Sequence, residues 1–302
     1  MNNLPFSKPG RFWKGNLHTH STRSDGKLTP DKVCQVYRDL GYDFLSITDH
    51  FLHQYSFPMT DTRAYCTQDF VTLPGAELHA YATSTGELWH ILAVGLPLDF
   101  KPSLNGETGP QLAARALEAG AYVAAAHPAW YDLTEEDLLS LGPIHAVEIY
   151  NGIADDHNDR AESWSIVDAL LVRGQRYTAC ATDDAHFDPR LNDVGRGWVW
   201  VKSEMLSPEA ILEALKAGAY YSSTGPLIHD IQVQPNNKVY VRSSPASSVL
   251  IKGRGSHFRH CHGNGMMETE LSIRNLNSPY LRVTVRDANG GRAWSNPIWL
   301  TD

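Results

Sequence analysis

The first two-thirds of the chain alternates short apolar runs with stretches in which apolar residues recur at helical spacing. Alternation of this kind is typical of βα units and predicts an α/β fold with a mainly parallel sheet. Proline at the start and glycine at the end mark several of the helices. The predicted strands are 15–20, 44–48, 71–78, 89–95, 122–126, 146–150 and 177–181, and the predicted helices are 29–40, 110–120, 133–141, 158–172 and 207–218.

The pattern changes after Gly225-Pro226. From there on, short β-rich runs at 239–242, 249–252, 269–273 and 281–286 are separated by turns. The segment from Asp287 to Gly291 has the composition of a hairpin turn. We therefore predict two domains, a barrel over residues 1–225 and a small antiparallel β domain over residues 226–302.

Composition narrows the class of protein. The 302 residues are 42% hydrophobic and 20% charged, which suits a globular chain with a substantial core. No apolar run reaches the roughly 18 residues of a membrane span, and the first fifteen residues lack the apolar stretch of a secretory signal. The four cysteines form no CxxC pair, so we expect free thiols and a cytoplasmic location. A net charge of −8 weighs against binding of duplex nucleic acid.

Histidine and acidic residues are concentrated at the ends of the predicted strands. His18 and His20 are two apart on the first strand and therefore point to the same side. In α/β barrels the loops that follow the strands converge on one mouth, so such side chains are expected to meet there. Packing alone favours apolar residues at these points. The other candidates are Asp49-His50, Glu77, His90, His127 and Asp183-Asp184-Ala185-His186.

This donor set predicts a catalytic metal centre. Imidazole suits zinc and iron, and carboxylate suits harder ions such as manganese. A mixture of histidine and carboxylate without cysteine favours an open catalytic site over a closed structural zinc site.

Six short motifs combine these residues with their neighbours: His18-Thr19-His20, Ser24-Asp25-Gly26, Thr48-Asp49-His50, Pro74-Gly75-Ala76-Glu77, His127-Pro128 and Asp184-Ala185-His186. In these motifs the sequence resembles the polymerase and histidinol phosphatase (PHP) superfamily. The resemblance spans roughly residues 12–225 and implies a distorted (β/α)7 barrel. The tail is similar to metallohydrolases of the CehA/McbA type, through 221–226 and 293–297.

The resemblance implies three divalent ions of zinc, manganese or iron. The first ion is expected to bind His18, His20, Glu77 and Asp184. The second shares Glu77 and adds His90 and His127, with His79 as a competitor for the place of His90. The third is expected to bind Asp25, His50 and His186.

The expected chemistry is hydrolysis. A hydroxide held between two ions would attack an ester, with Glu77 bridging the ions and Asp184 beside them. Protonation of the leaving group is open between His186, His53 and water on a metal. The residues expected to clamp a substrate phosphate are Arg160, Arg190 and Arg196. Asp49 and Asp183 are expected to orient imidazole groups or to cap turns.

Three functions remain open at this stage. The leading one is a phosphoesterase that acts on a small metabolite, nucleotide or oligonucleotide. The second is an esterase for carboxylic or carbamate esters, for which Trp89 or Trp130 would line an aryl pocket. The third is a binding module without catalysis. A further cluster, His257, His260, Cys261 and His262, is predicted to be a solvated loop, and Glu135, Glu136 and Asp137 to stabilise a helix start.

Overall fold

The computed structural model describes residues 4–300, which form two β-sheets, six α-helices and three short 3-10 helices. The strands are β1 Arg11–Asn16, β2 Phe44–Leu45, β3 His50–Phe51, β4 Val71–Thr72, β5 Gly75–Ala80, β6 Trp89–Val94, β7 Tyr122–Ala125, β8 Ala146–Asn151, β9 Thr178–Thr182, β10 Trp198–Ser203, β11 Tyr220–Ser223, β12 Ile228–Gln234, β13 Lys238–Lys252, β14 Phe258–Ser272, β15 Tyr280–Arg286, β16 Arg292–Ser295 and β17 Ile298–Trp299. The helices are α1 Pro30–Asp39, α2 Gly109–Glu118, α3 Glu135–Ser140, α4 Gly152–His157, α5 Trp164–Val172 and α6 Pro208–Lys216, and the 3-10 helices are Pro5–Ser7, His53–Tyr55 and Arg63–Tyr65.

The strands before β10 are mostly parallel to their neighbours, with one reversed strand. Strands β1, β2 and β4 run parallel, as do β3 with β5 and β7 with β8 and β9. Strand β6 is antiparallel to both of its neighbours, β5 and β7. A parallel bridge between Thr19 and Ala185 joins the chain after β1 to the chain after β9. The reversal matters for the site, because the first residues of β6 lie at the mouth where the parallel strands end.

Helix starts follow the sequence signals. Helix α1 has Pro30 at its first position and ends beside Gly41, whose φ of 73° lies in the left-handed region that glycine tolerates best. In α3, Thr134 and Asp137 form a reciprocal capping box, which confirms the structural role expected for this acidic cluster.

The C-terminal strands extend the sheet of the N-terminal part. Strand β10 pairs antiparallel with β1 and β11, and β11 then pairs with β16. Strands β12 to β16 are antiparallel to one another, as predicted, and β15 and β16 form the expected hairpin around residues 287–291. The division at residue 225 stays a prediction, since one sheet runs through that point. Residues 1–3 and 301–302, at the two ends of the predicted domains, lie outside the described part of the chain.

Several predicted elements have different bounds. The predicted helix 158–172 begins at Trp164, and the preceding residues contain the separate helix α4. The predicted strands 239–242 and 249–252 are one long strand, β13. His18 and His20 lie beyond the end of β1 rather than within a strand. No helix within residues 4–300 has both the length and the apolar character needed to cross a membrane.

A buried ion pair fastens the C-terminal strands to the barrel. Arg282 of β15 donates from Nε and Nη2 to the two carboxylate oxygens of Asp168 in α5, at 2.9 and 2.8 Å. The guanidinium also lies 3.9 Å from the ring centre of Trp164. Both partners are largely buried, so loss of one leaves a charge without its counter-charge.

Asp168→Asn is therefore expected to lower the free energy of unfolding by about 3 kcal/mol, because the buried guanidinium loses its anion. Urea unfolding followed by circular dichroism measures this change. Asp61→Asn is the control, because its partner Arg63 is exposed and its loss should leave the midpoint almost unchanged. Equal midpoints for Asp168→Asn and wild type would contradict the prediction.

Candidate metal centre

Glu77 lies at the centre of a histidine cluster. Its side chain is fully buried on β5, and its two oxygens face different groups of imidazoles. Oε1 lies 2.6 Å from Nδ1 of His90 and 3.1 Å from Nε2 of His127. Oε2 lies 2.5 Å from Nδ1 of His50 and 3.8 Å from Nε2 of His20. One carboxylate thus reaches side chains from four separate segments of the chain.

His18, His20 and Asp184 form a second set of contacts beside Glu77. Oδ1 of Asp184 lies 2.9 Å from Nε2 of His20 and 3.3 Å from Nε2 of His18. Nε2 of His18 is also 3.6 Å from Oε1 of Glu77. All four side chains are buried. The sequence separation between Asp184 and the two histidines is bridged by the pairing of Thr19 with Ala185.

Asp25, His50 and His186 form the more open side of the cluster. Oδ2 of Asp25 lies 3.4 Å from Nε2 of His50, and Oδ1 lies 3.3 Å from Nε2 of His186. The Asp25 side chain is 37% exposed, whereas Glu77 has no exposed surface. This side is therefore the one that a molecule from solvent reaches first.

His90 reaches the cluster because β6 is reversed. It is the second residue of its strand, and in a parallel strand it would lie at the opposite end of the barrel. The neighbouring His79 of β5 is directly paired with it in the antiparallel register. His79 also lies in the cluster, with Nε2 3.0 Å from Nδ1 of His50.

Buried atoms without hydrogen-bond partners support metal binding by this cluster. Within the described residues, they include Nε2 of His18, Oε2 of Glu77, Oδ1 of Asp25 and Nδ1 of His127. A buried polar atom without a partner costs free energy, and a metal ion would satisfy the first three of these atoms. Four overlapping groups of ligand atoms lie within 4.8 Å of one another. They are His20, Asp25, His50 and His186; His50, Glu77, His79 and His90; His18, His127 and Asp184; and His18, His20 and Glu77.

Two cluster residues have unusual backbone conformations. His127 has a φ of 27° and Asp184 a φ of 54°, in a region that non-glycine residues seldom occupy. Such conformations persist where the surroundings enforce them, and they are concentrated at functional sites. Both residues follow the end of a strand, where the side chain of His127 contacts Glu77 and that of Asp184 contacts His18 and His20.

Electrostatics in the metal-free protein are dominated by ion pairing within the cluster. Burial opposes charge on His50, but Glu77 and Asp25 outweigh it and raise the pKa of His50 to about 11. Burial and the nearby charges of His186 and His50 lower the pKa of His20 to about 4. Burial by itself would raise the pKa of Glu77, yet His90, His50 and His18 hold that pKa well below its ordinary value. The carboxylates are therefore ionised at neutral pH and ready to bind cations.

We expect the raised pKa of His50 and the lowered pKa of His20 to be measurable in protein from which metal has been removed with a chelator. His50 should stay protonated at pH 8, and His20 should stay neutral at pH 6. The stabilisation from charged His50 is complete below pH 6.5 and is lost as the pH rises towards 11. Imidazole ¹⁵N chemical shifts in an NMR titration measure both states. Midpoints near pH 6.5 for both residues would contradict the prediction.

Glu148 is the main site residue that the sequence analysis missed. It is buried in the middle of β8, and its Oε1 accepts a hydrogen bond from Nδ1 of His18 at 3.0 Å. The same carboxylate accepts from the backbone N–H of His127, from Thr182 Oγ1 and from Asn151 Nδ2. An acidic residue in an otherwise apolar buried strand was the available signal. By holding Nδ1 of His18, Glu148 turns Nε2 towards the cluster.

Asn151 caps a helix and also contacts a candidate metal ligand. Its Oδ1 accepts from the backbone N–H of Ala154 and caps α4. Its Nδ2 donates to Oδ2 of Asp184 at 3.1 Å. The turn residue therefore also fixes a candidate ligand.

Asp49 and Asp183 do not orient imidazole groups. Asp49 accepts hydrogen bonds from Ser21, Ser24 and Thr60, and so orders the turn that carries Asp25. Asp183 accepts from Tyr37 Oη and from the backbone N–H groups of residues 195–197. The expectation of imidazole contacts was wrong, and the turn-capping alternative is correct. Their acceptor oxygens are already occupied by nearer loop donors.

The three arginines proposed to bind phosphate are each held by a carboxylate. Arg160 pairs with Asp132 at 2.6 Å, Arg190 with Asp188 at 2.7 Å, and Arg196 with Asp155 at 2.6 Å. In the part of the chain that the structure describes, none of these guanidinium groups contacts a candidate ligand. Their role in substrate binding stays a prediction.

Aromatic side chains flank the cluster, although Trp89 is not among them. Trp89 is buried in the barrel core against Gly109, so its expected place in an aryl pocket was wrong. Tyr131 stacks on His90 with ring centres 4.5 Å apart, and Trp130 lies 5.7 Å from His127. On the other side, Tyr55 stacks on His50 at 6.2 Å.

Most of the C-terminal histidine cluster lies on a strand. His260, Cys261 and His262 belong to β14, so the predicted loop was wrong for these three residues, whereas His257 lies in the loop before that strand. The side chains are largely exposed, and the ring centres of His260 and His262 are 4.9 Å apart. His53, a candidate acid, makes its ring contact with Phe57.

Comparisons with known proteins bear on the fold. No family profile matches the chain, and no curated protein does. Among solved structures, the chain is similar to a two-domain protein from Bacteroides vulgatus that contains a predicted PHP-like metal-dependent phosphoesterase. The TM-score is 0.55 with 16% identity, over 97% of this chain and 89% of that one. The PHP-type α/β fold is therefore confirmed, while the count of seven βα units stays a prediction.

Two further structures match only part of the chain. One is a protein from Bifidobacterium adolescentis assigned as a metal-dependent phosphoesterase, with TM-score 0.40, 15% identity, and coverage of 58% of this chain and 89% of that one. The other is an amidohydrolase from Chromobacterium violaceum with bound sulfate and no metal, with TM-score 0.45, 16% identity, and coverage of 57% and 87%.

Proposed function

We propose that this protein is a metal-dependent hydrolase of the PHP type that cleaves phosphoesters of a small metabolite, nucleotide or oligonucleotide. The observation that carries the proposal is the convergence of buried imidazoles from separate strand ends on the two oxygens of Glu77. Buried ligand atoms without partners add to it. A purely structural role would instead give each buried polar atom a protein partner.

The donor atoms suit three neighbouring ions. His18, His20, Glu77 and Asp184 would hold the first. Glu77, His90 and His127 would hold the second, and Asp25, His50 and His186 the third. Glu77 is suited to join the first two because its Oε1 lies near His18 as well as His90 and His127, and its Oε2 lies near His20. Zinc, manganese and iron all accept this mixture of ligands.

When bound, such ions supply an activated water and offset charge on the ester oxygens. The protein residues determine where this happens. The buried floor of Glu77, His18 and Asp184 excludes bulk water, and the exposed edge at Asp25 admits the substrate. His186 donates from Nδ1 to the Asp184 carbonyl and presents Nε2 to Asp25, which favours a ligand role over that of a general acid.

A second candidate, an esterase for aryl carboxylic or carbamate esters, is supported by the flanking aromatic residues. Tyr131 and Trp130 lie beside His90 and His127, whereas the nearby Arg160 is already paired with Asp132. A planar leaving group would stack on these rings.

A substrate panel with measured metal content tests the proposal. Purified protein is expected to retain divalent ions by plasma mass spectrometry and to hydrolyse p-nitrophenyl phosphate or bis-p-nitrophenyl phosphate. A chelator should abolish turnover, and zinc, manganese or ferrous iron should restore it. Faster hydrolysis of p-nitrophenyl acetate or a naphthyl carbamate would favour the esterase. Retained metal without turnover on any substrate would favour a binding module, and absence of both would overturn the proposal.

A further inference from the structure

His79 is a buried histidine that the ligand assignment above leaves without a role. It lies two residues after Glu77 on β5, so both side chains point to the same face of the strand. Only 1% of its side chain is exposed. Its Nδ1 lies 3.1 Å from the carbonyl oxygen of Trp89, and its Nε2 lies 3.0 Å from Nδ1 of His50. The imidazole therefore spans the space between backbone and cluster.

The partners of His79 fix where its proton lies. The carbonyl of Trp89 can only accept a hydrogen bond, so Nδ1 of His79 must carry the proton that it donates. A neutral imidazole protonated at Nδ1 has a lone pair on Nε2. Nδ1 of His50 must then be the donor in the contact between the two rings. This leaves Nε2 of His50 facing Asp25, at 3.4 Å from Oδ2.

Glu77 is the competing acceptor for the same proton of His50. Its Oε2 lies 2.5 Å from Nδ1 of His50, closer than Nε2 of His79. That oxygen nevertheless remains without a hydrogen-bond partner among the described residues. The ring contact with His79 does have hydrogen-bond direction. Glu77 Oε2 is thus left for a cation, and Nε2 of His79 accepts the hydrogen bond from Nδ1 of His50.

We propose that His79 positions His50 by accepting a hydrogen bond from its Nδ1–H, so that Nε2 of His50 is presented to the ion beside Asp25 and His186. Histidines that bind metals usually donate their second N–H to a carboxylate, a carbonyl or water, which sets the tautomer and the ring orientation. His18 has Glu148 in this role, and His186 has the Asp184 carbonyl. His50 would have a second histidine instead. The inference rests on the proposed metal centre.

Paired substitutions of His79 test the role. His79→Leu keeps the bulk but removes the acceptor, and we expect it to weaken binding of one ion by about 10- to 100-fold. His79→Gln keeps an acceptor oxygen and should retain wild-type affinity. The readouts are metal content and the visible spectrum of the cobalt-loaded protein. His145→Leu is the control, since His145 is partly buried and bonded to the Val123 backbone away from the cluster. Equal metal affinity in His79→Leu and wild type would overturn the proposal.

An NMR measurement on chelated wild-type protein tests the hydrogen bond even if His79→Leu does not fold. We expect the proton of His79 on Nδ1 and a scalar coupling between Nε2 of His79 and Nδ1 of His50. A proton on Nε2 of neutral His79 would overturn the proposal. Neither readout depends on turnover, so a protein that shows the hydrogen bond and binds metal but hydrolyses nothing would contradict the proposed function alone.

Discussion

Replacing Glu77 by glutamine is expected to lower kcat/KM for ester hydrolysis by about 10³-fold or more, because bound ions contribute several kcal/mol to the transition state. The carboxylate reaches two sets of imidazoles with two separate oxygens. An amide offers one oxygen, and its NH₂ group would face atoms that should bind a cation. The variant should therefore lose at least one ion as well as activity. Metal analysis and steady-state kinetics on the same preparation measure both quantities.

Glu107→Gln provides a matched control for this change. Glu107 is another buried glutamate, but it is paired with Arg115, outside the cluster. Its replacement should alter stability while leaving metal content and turnover at wild-type values. If Glu77→Gln kept a full complement of ions and full turnover, the joining role of Glu77 and the proposed hydrolytic centre would both be wrong.

Glu148→Gln is expected to weaken metal binding by about 10- to 100-fold, the usual loss when a residue that orients a ligand is removed. Glu148 accepts hydrogen bonds from His18, His127, Asn151 and Thr182, so both of its oxygens are in use. Glutamine would turn an NH₂ group towards at least one of these donors. His18 would then lose the partner that keeps Nε2 directed at Glu77 and Asp184.

Competition with a chromophoric chelator measures the affinity, and circular dichroism verifies folding at the same protein concentration. Thr182→Val is the matched control, because it removes one donor to Glu148 and leaves the contact with His18 in place. We expect its metal affinity to stay close to that of wild type. Equal losses in the two variants would mean that Glu148 acts through general stability and not through His18.

The sequence predicted the site best where a histidine or an acidic residue follows an apolar run. His18, His20, His50, His127 and Asp184 each follow an apolar run, and the runs indicate strands that end at one mouth. Their meeting could therefore be predicted without knowing any contact. His90 was the exception, because it precedes its apolar run. It reaches the mouth only because β6 is antiparallel, and the spacing of apolar residues does not reveal the direction of a strand.

Residues that support the ligands were not predictable in the same way. Glu148 lies 130 residues from His18, and Asp183 lies 146 residues from Tyr37. Hydrogen-bond partners this far apart leave no spacing pattern. The ion pairs of Arg160, Arg190 and Arg196 depend equally on side-chain placement. From the sequence, these guanidinium groups were expected to be free to bind phosphate, whereas in the folded chain each one forms an ion pair with an aspartate.

By itself, the sequence determined the α/β character of this protein, the antiparallel C-terminal strands and the set of imidazole and carboxylate groups that meet at the barrel mouth. Those features follow from apolar periodicity and residue chemistry, which act over a few neighbouring residues. The tertiary structure alone decided the reversal of β6, the partners of Glu148 and Asp183, and the contact between His50 and His79. These depend on strand direction and on hydrogen-bond geometry between distant segments, which only the folded chain brings together.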